Sequence, residues 1–276
     1  MIDLKHFVQD LGYTVAHIKT DSIKIPNADT HIIEQVMNFG KKYGYTFEHE
    51  ATYDRMCLVN NAVYIARYKD AEACQEMYGY IPGDNKKKGN QWTAIGKQFA
   101  VPYLFKKLFS KEPIQLKDMC ETFSVKTAIY LDMNENLPDI HHHEKELEKL
   151  ERLFKNGRID EEEYKVEKIQ FENEIAKGHD YRFVGKVGSF CPVLVGKGGG
   201  ELYRKQDDKY HAVAGTTGYR WIESELVNEE EVDDLIDKSF YENLVNDAID
   251  SIKEYGDYEW FVSDEPSVFE PINKFA

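Results

Sequence analysis

Leu4, Phe7, Val8 and Leu11 recur at the i, i+3, i+4, i+7 spacing of one helix face, so residues 2–11 read as an amphipathic helix stopped by Gly12. Two β-rich runs follow, 13–19 and 22–25, meeting at a Thr20-Asp21-Ser22 corner. Pro26-Asn27 breaks the second run. Asp29 or Thr30 can then cap a helix reaching about Tyr43, with Ile32, Ile33, Val36, Met37 and Phe39 on its apolar side. Residues 45–53, 55–60 and 62–68 are rich in Tyr, Phe, Val and Ile and read as strands. This order of helix, hairpin, helix and strands is that of an α+β fold, an antiparallel sheet with helices on one face.

The pattern changes further on. Residues 81–97 collect glycines and lysines and read as an exposed linker, 101–111 and 115–122 as short helices, and 125–131 as a strand. Leu147, Leu150, Leu153 and Phe154 make one helical stripe, Asn156-Gly157 a turn, and 159–175 a second helix. Residues 181–225 alternate β-rich runs with glycine turns and predict a small antiparallel sheet. The run Gly196 to Gly200 lacks the Gly-Lys-Ser/Thr ending of a phosphate loop and reads as a hairpin loop. Residues 229–255 are helical and acidic.

Composition narrows the class. The 276 residues are 42% hydrophobic, which suits a folded globular chain. No run of 18 apolar residues occurs, so no membrane partner is expected. Cys57, Cys74, Cys120 and Cys191 are scattered without a Cys-x-x-Cys pair and read as reduced, mostly buried thiols. His141-His142-His143 lacks the rigid spacing of a native metal site. The net charge of −15 is unevenly spread. Residues 1–130 carry 17 basic against 15 acidic side chains, and residues 131–276 carry 18 against 35. Within 81–126 the count is 9 against 4, so a polyanion would favour the first half, and the second half would repel it.

The stretch His17-Ile18-Lys19-Thr20-Asp21-Ser22 resembles the motif C hairpin of family B DNA polymerases, whose core reads Tyr-x-Asp-Thr-Asp-Ser. Asp21 matches the second aspartate, and Thr20 and Ser22 match its neighbours. Lys19 stands at the first aspartate and His17 at the tyrosine. A corner aspartate otherwise commonly hydrogen-bonds its own backbone. The resemblance implies instead that Asp21 is a catalytic ligand of magnesium in a two-metal site for nucleotidyl transfer. Lys19, two residues away on the same strand face at roughly 7 Å, would oppose a unit positive charge by about 2.4 kcal/mol at an effective dielectric near 20.

A strand pair ending in Asn61-Ala62-Val63-Tyr64 resembles the Lys-Lys-x-Tyr segment that grips primer–template, with Tyr64 at the tyrosine and the lysines replaced. Segments 98–113 and 183–192 resemble C-terminal parts of phage-type members. Motifs A and B and the 3′–5′ exonuclease motifs do not occur in the chain.

The resemblance therefore implies the C-terminal part of a fragmentary or split polymerase, inactive alone, with an upstream half supplying motifs A and B. Its other partners would be primer–template DNA and deoxynucleoside triphosphates, in the cytoplasm of a bacterial host if phage-encoded. Lys86, Lys87, Lys88, Lys106 and Lys107 are the candidate DNA contacts beside Tyr64. The implied organisation is a palm remainder at 1–80, a thumb-like basic region at 81–140, a helical hairpin at 141–178, and a β-rich module with an acidic tail at 179–276. The hairpin resembles the small SHOCT module, and an ordinary antiparallel helix pair explains it equally well. The rival reading is a non-enzymatic acidic docking protein with a degenerate palm.

Overall fold

A computed structural model of the chain describes residues 1–69, 92–135, 137–228 and 232–263, and the side chains of all of these except 137–140, 176 and 177. The fold is α+β with antiparallel sheets. It divides into two compact units, one built from the first 114 residues together with the segment from Glu242 onward, the other spanning Gln115–Tyr241.

The first unit opens with α1 (Ile2–Asp10), β1 (His17–Ile18), β2 (Ile23–Lys24) and α2 (Thr30–Lys42). Asp29 caps α2 by accepting the Ile32 N–H at 2.9 Å, which satisfies one of the donors a helix start leaves open. Leu4 and Val8 of α1 bury against Ile32 and Val36 of α2, with Phe7, Ile23, Phe39 and Phe47 closing the cluster. This is the packing that the pattern predicted for Leu4, Phe7 and Val8, whereas Leu11 falls beyond the helix end and stays exposed.

The strands depart from expectation. β3 (Tyr53–Asn60) and β4 (Val63–Tyr68) match the predicted pair, but residues 45–52 form no strand. Phe47 serves helix packing instead. The Phe47 ring fills the space over Gly40, where a Cβ would come within 2.3 Å of it.

Residues 92–95, expected in a linker, form β5 (Trp92–Ile95) and complete a β3-β4-β5 sheet. Trp92 is buried against Phe109 and Phe261, at centroid distances of 5.2 and 5.3 Å. Short helices α3 (Lys97–Ala100) and α4 (Pro102–Phe105) follow, and α4 runs into a π-helical stretch, Lys106–Ser110.

The second unit holds β6 (Glu121–Asp132), α5 (Leu137–Lys155), α6 (Glu161–Gly178), β7 (Tyr181–Val193), β8 (Glu201–Gln206), β9 (Lys209–Ala212), β10 (Arg220–Glu223) and α7 (Val232–Leu235). A short 3-10 turn, Leu116–Met119, stands where a helix over 115–122 was expected, and β6 starts four residues before the predicted strand. The strand order is β10-β7-β6-β8-β9, so β6 is central to a sheet that the glycine-and-strand pattern announces only from residue 181. The predicted helix pair is present as α5 and α6, inserted between the neighbouring strands β6 and β7. Phe123, Phe190, Trp221 and Phe240 interlock as the core.

The helical tail expected over 229–255 is present as α7 and α8 (Ser239–Lys253); a further helix, α9 (Tyr258–Val262), follows, and the first unit holds it through two arginines. Arg55, buried on β3, donates to the carbonyls of Trp260, Phe261 and Ser263 and lies over the Trp260 ring. Arg67 on β4 makes a two-pronged pair with Asp54 and donates to the Ser263 carbonyl at 2.9 Å. A helix C-terminus leaves carbonyls unmet and carries partial negative charge, so cations belong there. Arg55→Met removes the donor while keeping the bulk. It should lower unfolding stability by about 2 kcal/mol, because the buried Phe261 carbonyl loses its donor, whereas Ser263 keeps Arg67 and Trp260 keeps the Ser263 N–H and hydroxyl. Urea titration measures this.

Candidate functional site

The corner around Asp21 is a two-residue hairpin turn. β1 and β2 pair His17↔Lys24 and Ile18↔Ile23, and the Lys19 N–H donates to the Ser22 carbonyl at 2.9 Å. Thr20 and Asp21 are left exposed at the tip, and Ser22 is half-buried. Asp21 receives no hydrogen bond or ion pair from the described residues. Both predicted strands are shorter than expected: β1 keeps only His17–Ile18 of 13–19, and β2 only Ile23–Lys24 of 22–25. Lys19 and Asp21 are thus not strand neighbours on one pleat, and the repulsion reckoned from strand spacing does not carry over to the turn.

Two side chains fasten this hairpin to the sheet. His17 is buried, and its Nε2 donates to the Asn61 carbonyl at 3.1 Å, in the turn between β3 and β4. Lys24, from the opposite strand, lies over the rings of Tyr64 and Tyr53, its Nζ 5.3 and 5.7 Å from their centroids. Burial holds the Lys24 amine below the usual lysine range, with Glu50 and Asp21 acting against that shift and Lys19 reinforcing it. Burial also raises the Tyr64 phenol. The structure therefore places Tyr64 under Lys24 at the base of the hairpin whose tip carries Asp21. It adds Lys24, which sequence reasoning missed because strand alternation does not show which ring lies across from it.

The other candidates lie elsewhere. Lys107 is exposed, sits 3.9 Å from Glu242 and lies over Tyr103; Lys106 reaches the Pro113 carbonyl at 3.4 Å. Lys86, Lys87 and Lys88 fall outside the described residues. Two-metal chemistry needs carboxylates converging on both ions. Asp21 offers one, and no group of three or more His, Cys, Asp or Glu side chains suited to a metal gathers among the described residues. These residues do not build the metal centre by themselves. No protein-family model, curated protein or solved structure matches the chain. Among the described residues no helix is long and apolar enough to cross a membrane.

The second unit contains a charged cluster that no sequence motif foreshadows. Asp132, at the end of β6, has a fully buried side chain. It pairs with His179 Nδ1 and accepts the Asn134 and Asp180 N–H groups at 3.2 and 3.0 Å. His179 Nε2 faces Glu144 of α5 at 3.6 Å. Glu144 also meets His141 Nδ1 at 2.8 Å, and His141 Nε2 meets Glu201 of β8 at 3.0 Å, where the Tyr203 hydroxyl donates as well. Tyr181 stacks on Tyr210 at 3.7 Å and on His179 at 4.8 Å. Each imidazole thus has a carboxylate at both nitrogens, an arrangement that favours the doubly protonated ring. The charged members come from three elements and the α6–β7 connection and are separated by up to 69 residues, so no local spacing announces the cluster.

Burial alone would lower the His179 pKa, but Asp132 and Glu144 outweigh it and raise the ring to about 9. His141 is raised by Glu144 and Glu201, again against burial. Burial likewise works to raise Asp132, yet the hydrogen bonds from His179, Asp180 and Asn134 leave it lowered. The His179 hydrogen bond leads the lowering of Glu144. A histidine raised on folding stabilises fully below its unfolded value of 6.5 and stops doing so as pH passes about 9. The lowered carboxylates stabilise above their ordinary range and are lost in acid. The unit should therefore be most stable between about pH 4.5 and 6.5, losing on the order of 3 kcal/mol by pH 9. His179→Gln should flatten that alkaline limb in denaturant titrations run across pH; an unchanged limb would show that the imidazole is not the group responsible.

Proposed function

We propose that this chain is the C-terminal part of a DNA-directed DNA polymerase of the family B type, with residues 1–80 as the remainder of its palm. In this reading Asp21 is one carboxylate of a magnesium site whose other ligands come from an upstream part carrying motifs A and B. Tyr64, with Lys24 lying over its ring, belongs to the surface that holds primer–template DNA. One observation carries the reading: an exposed carboxylate, with no hydrogen bond or ion pair among the described residues, stands at the tip of a tight hairpin that His17 and Lys24 fix against the β3–β4 pair bearing Tyr64. A corner aspartate serving only its turn would turn its oxygens to nearby backbone N–H groups. Lys24 also supplies a cation beside Tyr64, where Asn61 and Ala62 replace the lysines of the resembling motif.

When bound, magnesium would activate a primer hydroxyl and steady a triphosphate. The role of this chain is to present the Asp21 oxygens on a hairpin whose base is buried and hydrogen-bonded. The purified chain should not extend a primer. Adding a polypeptide with motifs A and B should restore synthesis, and Asp21→Asn should then abolish it while leaving the assembled complex intact. Extension by the 276 residues alone, or full activity of the Asp21→Asn complex, refutes the assignment.

DNA affinity should reside in the basic segment rather than in the acidic second half. Neutralising Lys86, Lys87, Lys88, Lys106 and Lys107 together should weaken duplex binding and flatten log K against log salt by about 0.9 for each phosphate no longer neutralised. Fluorescence anisotropy on a primer–template duplex reads both quantities. Unchanged values would favour the docking-protein reading.

A further inference from the structure

The second unit contains a thiol pair that neither the charged cluster nor the polymerase reading uses. The sulfurs of Cys120 and Cys191 lie 2.8 Å apart. Cys120 is in extended conformation at the entry to β6, and Cys191 lies on β7, one step beyond the Glu121↔Phe190 pair. Facing positions on an antiparallel ladder hold their Cα atoms roughly 4.5–5.5 Å apart, within the span a disulfide bridges.

The two thiols differ in access and in acidity. Cys120 is half-buried, whereas Cys191 has 0% exposure, held between β6 and β10. The hydrogen bond with Cys191 pulls the Cys120 thiol below its ordinary value, and the Cys120 sulfur together with burial pushes Cys191 far above it. Access and the lowered thiol make Cys120 the attacking sulfur; as a thiol it also donates to the Leu116 carbonyl at 3.1 Å, a bond released when the proton leaves.

We propose that Cys120 and Cys191 are a redox modification site that closes to a disulfide by exchange with a low-molecular-weight disulfide. Cys120, having lost its proton, attacks one sulfur of the reagent, breaking the reagent's S–S bond and expelling one thiolate. The mixed disulfide no longer carries the negative sulfur that held the Cys191 proton in place. Cys191 gives up that proton, attacks Cys120 Sγ and expels the second half of the reagent. The protein pair loses two electrons and two protons, and the reagent leaves as two thiols. The new bond joins the start of β6 to the end of β7.

The test uses the full chain incubated with oxidised glutathione, quenched with N-ethylmaleimide in denaturant, digested and mapped by mass spectrometry. The expected product is a Cys120–Cys191 linked peptide about 2 Da lighter than its two thiol components, reversed by dithiothreitol, with Cys57 alkylated throughout. Cys191→Ala should stall as a glutathione adduct on Cys120, and Cys120→Ser should leave Cys191 reduced. The wild-type map stands whether or not either variant folds. Full alkylation of both cysteines after incubation, a wild-type product that stops at the Cys120 adduct, or a link through a different cysteine would each overturn the proposal.

Discussion

Asp132 is a carboxylate with a fully buried side chain, and the second unit is organised around keeping it satisfied. Removing such a charge from water is tolerable only where donors replace the lost hydration. Two backbone N–H groups and His179 do so, and His179 in turn needs Glu144 for its other nitrogen. That requirement pulls α5 onto the sheet, and through His141 it reaches Glu201 on β8. Arg220 fixes the same corner from the other side by donating to the carbonyls of Met133, Asn134 and Gly199. The backbone is so close here that a Cβ on Gly200 would meet the Asp132 carbonyl oxygen at 2.5 Å, which is why a side-chain-free residue occupies that position.

The first unit solves a related problem with the opposite charge. Arg55 and Arg67 sit within a sheet face and direct their donors to the end of α9 and to Asp54. A sheet that would otherwise bury unpaired cations thereby gains a terminal helix. The hairpin bearing Asp21 follows the reverse logic, since its buried base is satisfied by His17 and its tip keeps a charge in water.

Elements governed by a local rule were legible in the sequence. The faces of α1 and α2, the Asp29 cap, the Thr20-Asp21 turn and the Asn156-Gly157 turn all follow from short-range spacing or from the backbone freedom of glycine; Gly157 has φ 67°. Elements decided by distant partners were not. Trp92 follows a lysine-rich run that suggests a linker, yet its ring is needed between Phe109 and Phe261. Residues 45–52 look β-rich because Phe47 and its neighbours are aromatic, and helix α2 claims Phe47 before any strand can. At the candidate site the turn and its aspartate were readable, whereas Lys24 over Tyr64 depends on how a hairpin folds back on a sheet. The Asp132 cluster depends on tertiary structure throughout.

The 48 residues from Met133 to Asp180 leave and re-enter the sheet at a single point, where the Met133 N–H donates to the Asp180 carbonyl at 2.8 Å. The strands on either side are already neighbours, so the sheet does not need the helical hairpin to set their register. Closing a longer or shorter connection there changes the loop entropy by only about 0.6 kcal/mol per doubling of length. The far ends of the two helices can therefore be lengthened or trimmed at small entropic cost, whereas Asn134, Glu144, His179 and Asp180 near the junction are needed to satisfy Asp132. What ties this particular insert to this particular sheet is the pair of histidines together with Arg220, so the junction rather than the fold records which hairpin belongs there.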